Sequence, residues 1–123
     1  MTTSRKSLGN LGEELACEYL QGMGHTIWKR GWRAGHCEVD IISLDGRGVH
    51  FVEVKSRVAP LSGSPLDALT YSKKRSLTKA AKAFLAKHES VGTELFFDAV
   101  TVIFDGNRTD ISYYPEVFIP LYY

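Results

Sequence analysis

The chain has 123 residues, of which 44% are hydrophobic and 24% charged, and its formal net charge is +1. This composition is typical of one ordinary globular domain, and the net charge excludes an overall electrostatic attraction to nucleic acid. The longest apolar runs are interrupted within a few residues and Met1 is followed by polar residues, so we expect a cytoplasmic protein that is neither exported nor inserted in a membrane.

The chain contains no repeat, low-complexity tract or linker, so we assign residues 1–123 to one domain, with residues 1–8 frayed. Hydrophobic periodicity and turn residues predict the secondary structure. In chain order the elements are a helix over 10–21, strands over 25–30, 38–44 and 49–56, a helix over 72–88 and a strand over 94–104. The order α-β-β-β-α-β predicts an α/β fold with a mixed central sheet flanked by helices. The tail, rich in Tyr and Pro, remains unassigned.

Two neighbouring strands carry charges that a buried strand would otherwise lack, namely Glu38 and Asp40 on the first and Glu53 and Lys55 on the second. Alternate residues share one face of a strand, so the register decides which charges meet. A four-residue turn over 45–48 would place Asp40 opposite Glu53. It would also place Glu38 opposite Lys55, so that the charges gather on one face. A two-residue turn would instead oppose Glu38 and Glu53, and a three-residue turn would separate the charges of the two strands.

Opposed carboxylates repel each other unless a cation lies between them, so Asp40 and Glu53 are candidate metal ligands. Ligation by oxygen alone suits Mg²⁺ or Mn²⁺ rather than zinc. Lys55 would lie beside the same ion as a point charge that orients water or stabilises a transition state. The alternative is a charged ladder on a solvated sheet face. Phe51 argues against it, because it shares the face of Glu53.

The first predicted helix carries a glutamate at the border of its apolar face. Glu13 is followed by Ala16, Cys17 and Leu20 at helical spacing, whereas Glu14 faces water. A glutamate directed toward the core needs a partner, which a metal site or a lysine would supply. The alternative is that a glutamate in a first helical turn only complements the helix dipole.

Four ordered segments resemble a known family. They are GNLGEELACEYL at 9–20, CEVDII at 37–42, FVEVKSR at 51–57 and KKRSLTKAAKAFL at 73–85. These segments are similar to the YraN-like family, which is related to Holliday junction resolvases. Glu13, Asp40 and the E-V-K at 53–55 also look like the PD-(D/E)xK nuclease superfamily. In that superfamily a restriction-endonuclease-like core joins an acidic residue of the first helix to an Asp and an E-x-K on adjacent strands.

The resemblance implies a set of catalytic positions, which in this chain are Glu13, Asp40, Glu53 and Lys55. Glu38 matches the acidic residue of the family's G-E-I-D segment, so it joins Asp40 and Glu53 as an expected ligand of Mg²⁺ or Mn²⁺. Cys37 stands where that segment has Gly and adds a side chain next to the site. Junction resolvases of the resembled group work as dimers, so a homodimer is expected by analogy.

The second predicted helix is basic and contains no acidic residue between its cations. Without i,i+4 partners these cations are free to bind DNA phosphates, and the alternative is a merely solvated helix face. The candidate nucleic-acid-binding residues are Lys73, Arg75, Lys79 and Lys82 in this helix and Arg33 and Arg57 near strand ends. The four histidines are scattered along the sequence, and we assign none of them to the site.

These residues together predict a metal-dependent endonuclease that hydrolyses phosphodiester bonds in structured or branched DNA. A water molecule would attack phosphorus while Asp40 and Glu53 hold the ion. Lys55 would position the nucleophile and stabilise charge, and Glu13 would complete the acidic cluster. One alternative is a non-catalytic nucleic-acid-binding module of the same fold. Another is a protein-interaction domain that uses the aromatic tail over 111–123.

Overall fold

The computed structural model describes residues 5–88 and 94–119. Within these ranges the chain forms two α-helices and five strands in the order α1-β1-β2-β3-α2-β4-β5. Their bounds are Arg5–Gly22 for α1, Thr26–Ala34 for β1, Cys37–Leu44 for β2, Gly48–Val58 for β3, Tyr71–Lys87 for α2, Glu94–Asp105 for β4 and Arg108–Tyr114 for β5. A short 3-10 helix, Pro65–Ala68, lies between β3 and α2. None of the helices in the described part is both long and apolar enough to span a lipid bilayer.

The five strands form one mixed sheet in the order β1-β2-β3-β4-β5. The first three strands are an antiparallel meander, whereas β4 runs parallel to β3 and β5 returns antiparallel to β4. A parallel neighbour requires a crossover connection, which α2 provides here. As a result β3 lies at the centre of the sheet, with β2 and β1 on one side and β4 and β5 on the other.

The two helices cover opposite faces of the sheet and divide the core into two clusters. The cluster on the α1 side contains Ala16, Cys17, Leu20, Ile41, Val52 and Val100. The cluster on the α2 side contains Ile42, Phe51, Leu77, Ala80, Phe84 and Phe97. Each helix contributes residues spaced by three or four positions, which form a single stripe. The central strands are therefore covered on both faces, and any charge on them must find a partner inside the protein.

The structure differs from the predicted elements in three places. Helix α1 already begins at Arg5, so residues 5–8 are helical rather than frayed, and residues 1–4 lie outside the described part. Strand β1 continues to Ala34 because it pairs with β2 along that length. Strand β5 was not predicted. Its sequence lacks an apolar run, and only Ile111 and Tyr113 of its side chains are even partly buried.

Candidate active site

The turn between β2 and β3 sets the register of the two charged strands. Asp45 accepts hydrogen bonds from the backbone N–H groups of Arg47, at 2.9 Å, and Gly48, at 3.2 Å. Such a side-chain acceptor stabilises a tight turn. Leu44 pairs with Val49 across it, which is the register of the four-residue turn. This register is one of the alternatives derived from the sequence, and the structure confirms it.

Strands β2 and β3 part beyond the first few pairs of the hairpin. The pairing between them ends at Ile41 and Val52. One residue further, the Asp40 carboxylate accepts a hydrogen bond from the backbone N–H of Val54 at 2.8 Å. A side-chain oxygen of β2 thus takes the place of the backbone acceptor that regular pairing would give this N–H group of β3. Asp40 thus has a structural hydrogen bond in the gap between the diverging strands.

Glu38 has a partner outside the predicted site. It lies opposite Arg33 of β1, and Arg33 Nη2 is 2.8 Å from Glu38 Oε2. The opposition of Glu38 and Lys55 that the four-residue turn predicted does not form, because β2 pairs with β1 and not with β3 at this level. Glu38 therefore already has a cation of its own, which weakens its case as a metal ligand. Arg33 remains 71% exposed.

Glu53 is buried at the centre of the candidate site, with only 2% of its surface exposed. Its Oε1 lies 3.1 Å from the Nζ of Lys55 and 3.3 Å from the Nζ of Lys73, which reaches it from α2. Its Oε2 has no hydrogen-bond partner among the described residues. A buried carboxylate oxygen without a partner is costly, so this atom marks a position that suits a further cation or donor.

The carboxylates of Asp40, Glu53 and Glu13 are close enough to repel one another. Burial, and then the negative charge of Glu53, raise the pKa of Asp40 well above its ordinary value, although Lys73 opposes the shift. Burial also raises the pKa of Glu13, against the lowering effect of Arg30. A divalent cation relieves this kind of repulsion, so the residues present fit such an ion.

A cavity of about 640 Å³ lies between α1 and the second half of β3. It is lined by, among others, Arg5, Glu13, Asp40, Lys55 and Arg57. The two helix residues and the Asp40 and Lys55 side chains thus share one solvent-filled space. Two arginines stand in its wall, which gives the cavity positive groups as well as carboxylates.

The absence of a side chain at Gly12 allows α1 to approach β3 at this cavity. A Cβ atom at Gly12 would lie 1.8 Å from the Oγ of Ser56 and 3.0 Å from its Cβ. Since Glu13 is the next residue, the close contact of helix and strand determines where Glu13 stands. Glu13 is half-buried, as expected for a residue at the border of the apolar face of the helix, and its role among the strand carboxylates stays a prediction.

The site lies in the gap between two strands and is not confined to one face of the sheet. Val39 packs in the cluster on the α2 side and Ile41 in the cluster on the α1 side, although a regular strand places residues two apart on one face. Asp40, between them, lines the cavity beside α1. Glu53 is ion-paired with Lys73 of α2. Both helices therefore contribute charged groups to the same set of carboxylates.

Comparison with known proteins gives a family. A model described as "Uncharacterised protein family UPF0102" matches residues 12–102. The chain belongs to the UPF0102 family. It is 37% identical over 118 residues to a UPF0102 protein of Geobacter metallireducens, and this alignment covers 96% of the chain and 97% of the relative. It is 42% identical over 101 residues to one of Mycolicibacterium vanbaalenii, with 82% and 84% covered. It is 50% identical over 78 residues to one of Chlorobium chlorochromatii, with 63% and 60% covered.

The UPF0102 match includes the carboxylates and lysines of the candidate site and leaves out two neighbouring features. Arg5 precedes the matched residues and β5 follows them. The resemblance to the YraN-like family is therefore confirmed as membership of UPF0102, and the resemblance to the PD-(D/E)xK superfamily stays a prediction.

The basic helix presents three of its cations to solvent. Arg75, Lys79 and Lys82 are all exposed on α2, and the helix contains no Asp or Glu. The helix packs on the opposite face of the sheet from the cavity, so these cations would not contact the same phosphate as Arg5 or Arg57. Within residues 5–88 and 94–119 these three exposed cations have no acidic partner, so they form a surface that can hold a polyanion.

The structure places two residues, Lys73 and Arg5, near the site, although the sequence does not predict either of them there. Lys73, which the sequence predicts to bind DNA, pairs with Glu53 in the structure. No sequence pattern relates the two residues, because their contact depends on how α2 crosses the sheet. Arg5 was assigned to a frayed end. The stretch from Arg5 to Leu8 contains no Gly or Pro, and this signal could have extended the helix to include it.

The aromatic tail packs against the sheet over the part of it that the structure describes. Val117 and Phe118 contact the cluster on the α2 side, and the tilted rings of Phe118 and Phe97 have centroids 4.7 Å apart. This packing occupies residues that the protein-interaction alternative would need. Residues 120–123, which belong to the same prediction, lie outside the described residues.

Proposed function

We propose that this chain is a metal-dependent endonuclease that hydrolyses phosphodiester bonds in structured or branched DNA. The observation that carries the proposal is Glu53, a buried carboxylate with two lysines on one oxygen and no partner on the other among the described residues, beside the carboxylate of Asp40. A structural ion pair would satisfy both oxygens of a buried glutamate. A buried carboxylate oxygen without a partner, among other acidic groups, is instead typical of a site that binds a cation and a substrate.

The fold supports this proposal. The mixed sheet, the helix before the meander and the crossover helix agree with the restriction-endonuclease-like core of the PD-(D/E)xK superfamily. In that core, as the resemblance implies, one strand supplies the Asp and the next the E-x-K. The candidate residues Asp40, Glu53 and Lys55 stand on two such strands, at the point where the strands separate.

Mg²⁺ or Mn²⁺ would be held by Asp40 and Glu53, since both ions prefer oxygen ligands and keep waters in their shell. When bound, such an ion supplies positive charge that stabilises the charge developing on the phosphate. Glu13 stands near both carboxylates and adds negative charge that strengthens cation binding.

The lysines and arginines would act on the substrate. Lys55, which is only partly exposed and lies against Glu53, is positioned to orient a water molecule and to donate to a phosphate oxygen. Arg5 and Arg57 stand in the wall of the cavity and would bind phosphates that flank the reacting one. Such contacts position a nucleic-acid backbone without selecting a sequence. By analogy with the resembled resolvases, we expect two copies of the chain to act as a homodimer.

The test is cleavage of labelled linear, flapped and four-way DNA with Mg²⁺ or Mn²⁺, alongside equilibrium binding. Lys55→Ala and Asp40→Asn should each slow single-turnover cleavage by about two orders of magnitude or more, the scale of losing one preorganised charge. DNA affinity should change little. An asparagine at position 40 can still accept the N–H of Val54, so the strand contact is kept.

Glu14→Gln is the matched control, because Glu14 is exposed on the same helix as Glu13. It should leave cleavage unchanged, whereas Glu13→Gln should slow it. Cleavage by Lys55→Ala at the parent rate would refute the mechanism. DNA binding without cleavage by the parent would favour the alternative, a non-catalytic nucleic-acid-binding module of the same fold.

A further inference from the structure

A second group of titratable residues lies at the turn end of the β2–β3 hairpin and belongs to no part of the proposed nuclease mechanism. It consists of His25, just before β1, Asp45 in the turn, and His50 on β3. One donor atom from each residue lies within 4.8 Å of the other two. The histidines are nearly inaccessible, with 3% and 2% of their side chains exposed, and Asp45 is 20% exposed. The fold thus brings together histidines that are 25 positions apart in sequence.

The inner nitrogens of both imidazoles are already engaged. His50 Nδ1 lies 2.6 Å from Asp98 Oδ2, and His25 Nδ1 lies 2.9 Å from Ser43 Oγ. Asp98 is buried and accepts two further hydrogen bonds, from the Tyr113 hydroxyl and from the backbone N–H of residue 116. An ionised carboxylate only accepts, so His50 donates through Nδ1, and in the neutral imidazole Nε2 then carries the lone pair that a metal ion would bind. Metal-binding histidines usually donate their other ring N–H to a carboxylate in this way, which fixes the orientation of the imidazole.

The outer nitrogens converge on one carboxylate. His50 Nε2 lies 2.9 Å from Asp45 Oδ1, and His25 Nε2 lies 3.6 Å from Asp45 Oδ2. Two donors that bind one ion at about 2.1 Å in a tetrahedral arrangement are about 3.4 Å apart, and the two observed separations lie on either side of that value. The two imidazole–carboxylate separations are therefore close to those of ligands around a single small ion, and the donor atoms of all three residues lie within 4.8 Å of one another.

The His50 Nε2 atom is buried and has no aligned hydrogen bond among the described residues. The nearest oxygen, Asp45 Oδ1, already accepts the N–H groups of Arg47 and Gly48. In neutral His50 the Nε2 lone pair would be repelled by this oxygen, and a metal ion between them would turn that repulsion into two attractive contacts. The alternative is a proton on Nε2, which would then donate to Asp45 across the same 2.9 Å. The contact thus requires a cation, either a proton or a metal ion.

We propose that His25, Asp45 and His50 bind a borderline transition-metal dication such as Zn²⁺. Two imidazole nitrogens and one carboxylate oxygen suit Zn²⁺ and its neighbours in the first transition row, whereas Mg²⁺ prefers oxygen alone. Three protein ligands leave a fourth position for water on the exposed side of Asp45. The ion would join the start of β1, the β2–β3 turn and β3, and through Asp98 it would join β4 to them. The chain would then hold two metals of different chemistry at two separate sites.

The experiment is a Zn²⁺ titration of the full chain after dialysis against a chelator, in buffer with excess Mg²⁺ to occupy the carboxylate site. We expect one Zn²⁺ per chain by metal analysis after gel filtration, and an absorption spectrum of a tetrahedral site when Co²⁺ replaces Zn²⁺. Asp45→Asn and His25→Gln should each weaken binding by at least tenfold and remove the Co²⁺ spectrum. An asparagine at position 45 can still accept the two turn N–H groups, so the Asp45→Asn variant keeps the turn.

His36→Gln is the matched control, since His36 is exposed in the turn between β1 and β2. It should bind Zn²⁺ as the parent does, and so should Asp40→Asn, whose substitution lies in the proposed nuclease site. Failure of the parent to take up Zn²⁺ or Co²⁺, or equal affinity of the parent and Asp45→Asn, would overturn the proposal. His50 would then be an imidazolium held between Asp45 and Asp98. Loss of cleavage in Asp40→Asn with Zn²⁺ binding intact would show that the two sites are independent.

Discussion

Glu53 joins strand β3 to helix α2 through a single buried carboxylate. Lys55 approaches it along the same strand and Lys73 from α2, both at its Oε1. Lys73 is about one-third exposed, so water screens part of its attraction, whereas Lys55 is less exposed. The two lysines therefore differ in role. Lys55 faces the cavity and serves the proposed reaction, and Lys73 mainly neutralises Glu53 and holds α2 to the sheet.

Replacing Lys73 should cost stability only while Glu53 is charged. We expect Lys73→Met to lower the free energy of unfolding by about 1 to 2 kcal/mol, because it removes one of two cations from a buried carboxylate. In a Glu53→Gln background the same change should cost less than about 0.5 kcal/mol, which urea unfolding of the double-mutant cycle would measure.

Lys79→Met is the control for this cycle, since Lys79 is exposed on the same helix. A surface change of this kind should stay within about 0.5 kcal/mol in both backgrounds. If Lys73→Met costs the same with and without the Glu53 charge, the ion pair contributes nothing and Lys73 acts through packing alone.

At the scale of residues, the sequence was informative where chemistry depends on neighbours along the chain. The composition of the turn and strand alternation predicted the Leu44–Val49 register, because both signals are local. The predicted opposition of Asp40 and Glu53 is not part of the pairing, which ends at Ile41 and Val52. The ion pair of Glu38 with Arg33 could not be predicted from the sequence. It forms because β2 stays paired with β1 at Glu38, where β2 is no longer paired with β3. The convergence of His25 and His50 was missed for the same reason.

Helix α1 lies close to strand β3 at Gly12, and this contact should tolerate no large side chain. Gly12→Val should lower the free energy of unfolding by about 1 to 3 kcal/mol, the range for overpacking, because its Cβ would meet Ser56. The measurement is urea unfolding, with cleavage as a second readout, since displacing α1 would also move Glu13.

Gly9→Val is the matched control, because a Cβ at Gly9 would meet no atom within 4 Å. Both substitutions place a β-branched residue in the same helix, so any difference between them reports the contact with β3 and not helix propensity. Equal loss of stability in the two variants would argue that the contact at Gly12 is unimportant.

The exposed cations of α2 should govern how DNA affinity depends on salt. Changing Arg75, Lys79 and Lys82 together to Gln should reduce the slope of log affinity against log salt concentration by about 3, close to one for each phosphate that is no longer neutralised. Binding measured from low to physiological salt would show it. Arg108→Gln, on β5, should leave the slope unchanged, and an unchanged slope in the triple variant would mean that this face of α2 is only solvated.

At the scale of elements, the strongly periodic segments were predicted and the weakly patterned ones were not. Helix α2 and strands β2, β3 and β4 each have a clear apolar pattern, and their predicted ranges agree with the structure to within a few residues. Strand β5 has no such pattern because it lies at the edge of the sheet with most of its side chains exposed. Its position is determined by pairing with β4, which no local signal in its own sequence reports.

Over the whole molecule, stability should be highest at the two central strands and fall toward both edges. Strands β3 and β4 pair over eleven positions and are covered by a helix or the tail on each face, whereas β1 and β5 are largely exposed. Amide hydrogen exchange should therefore be slowest in β3 and β4, where opening requires global unfolding, and faster in β1 and β5. Equal protection of β5 and β4 would contradict this gradient.

The order in which the site residues occur along the chain bears on how a nascent chain would assemble it. Glu13, Asp40 and Glu53 all come from α1 and the meander, which the ribosome releases first and whose antiparallel pairings close short loops. Lys73 and the parallel partner β4 emerge later, and their contacts span a crossover that closes more slowly. A nascent meander therefore carries crowded carboxylates with Lys55 alone to balance Glu53. Docking of α2 delivers the second lysine, so electrostatic attraction favours the step that completes the sheet.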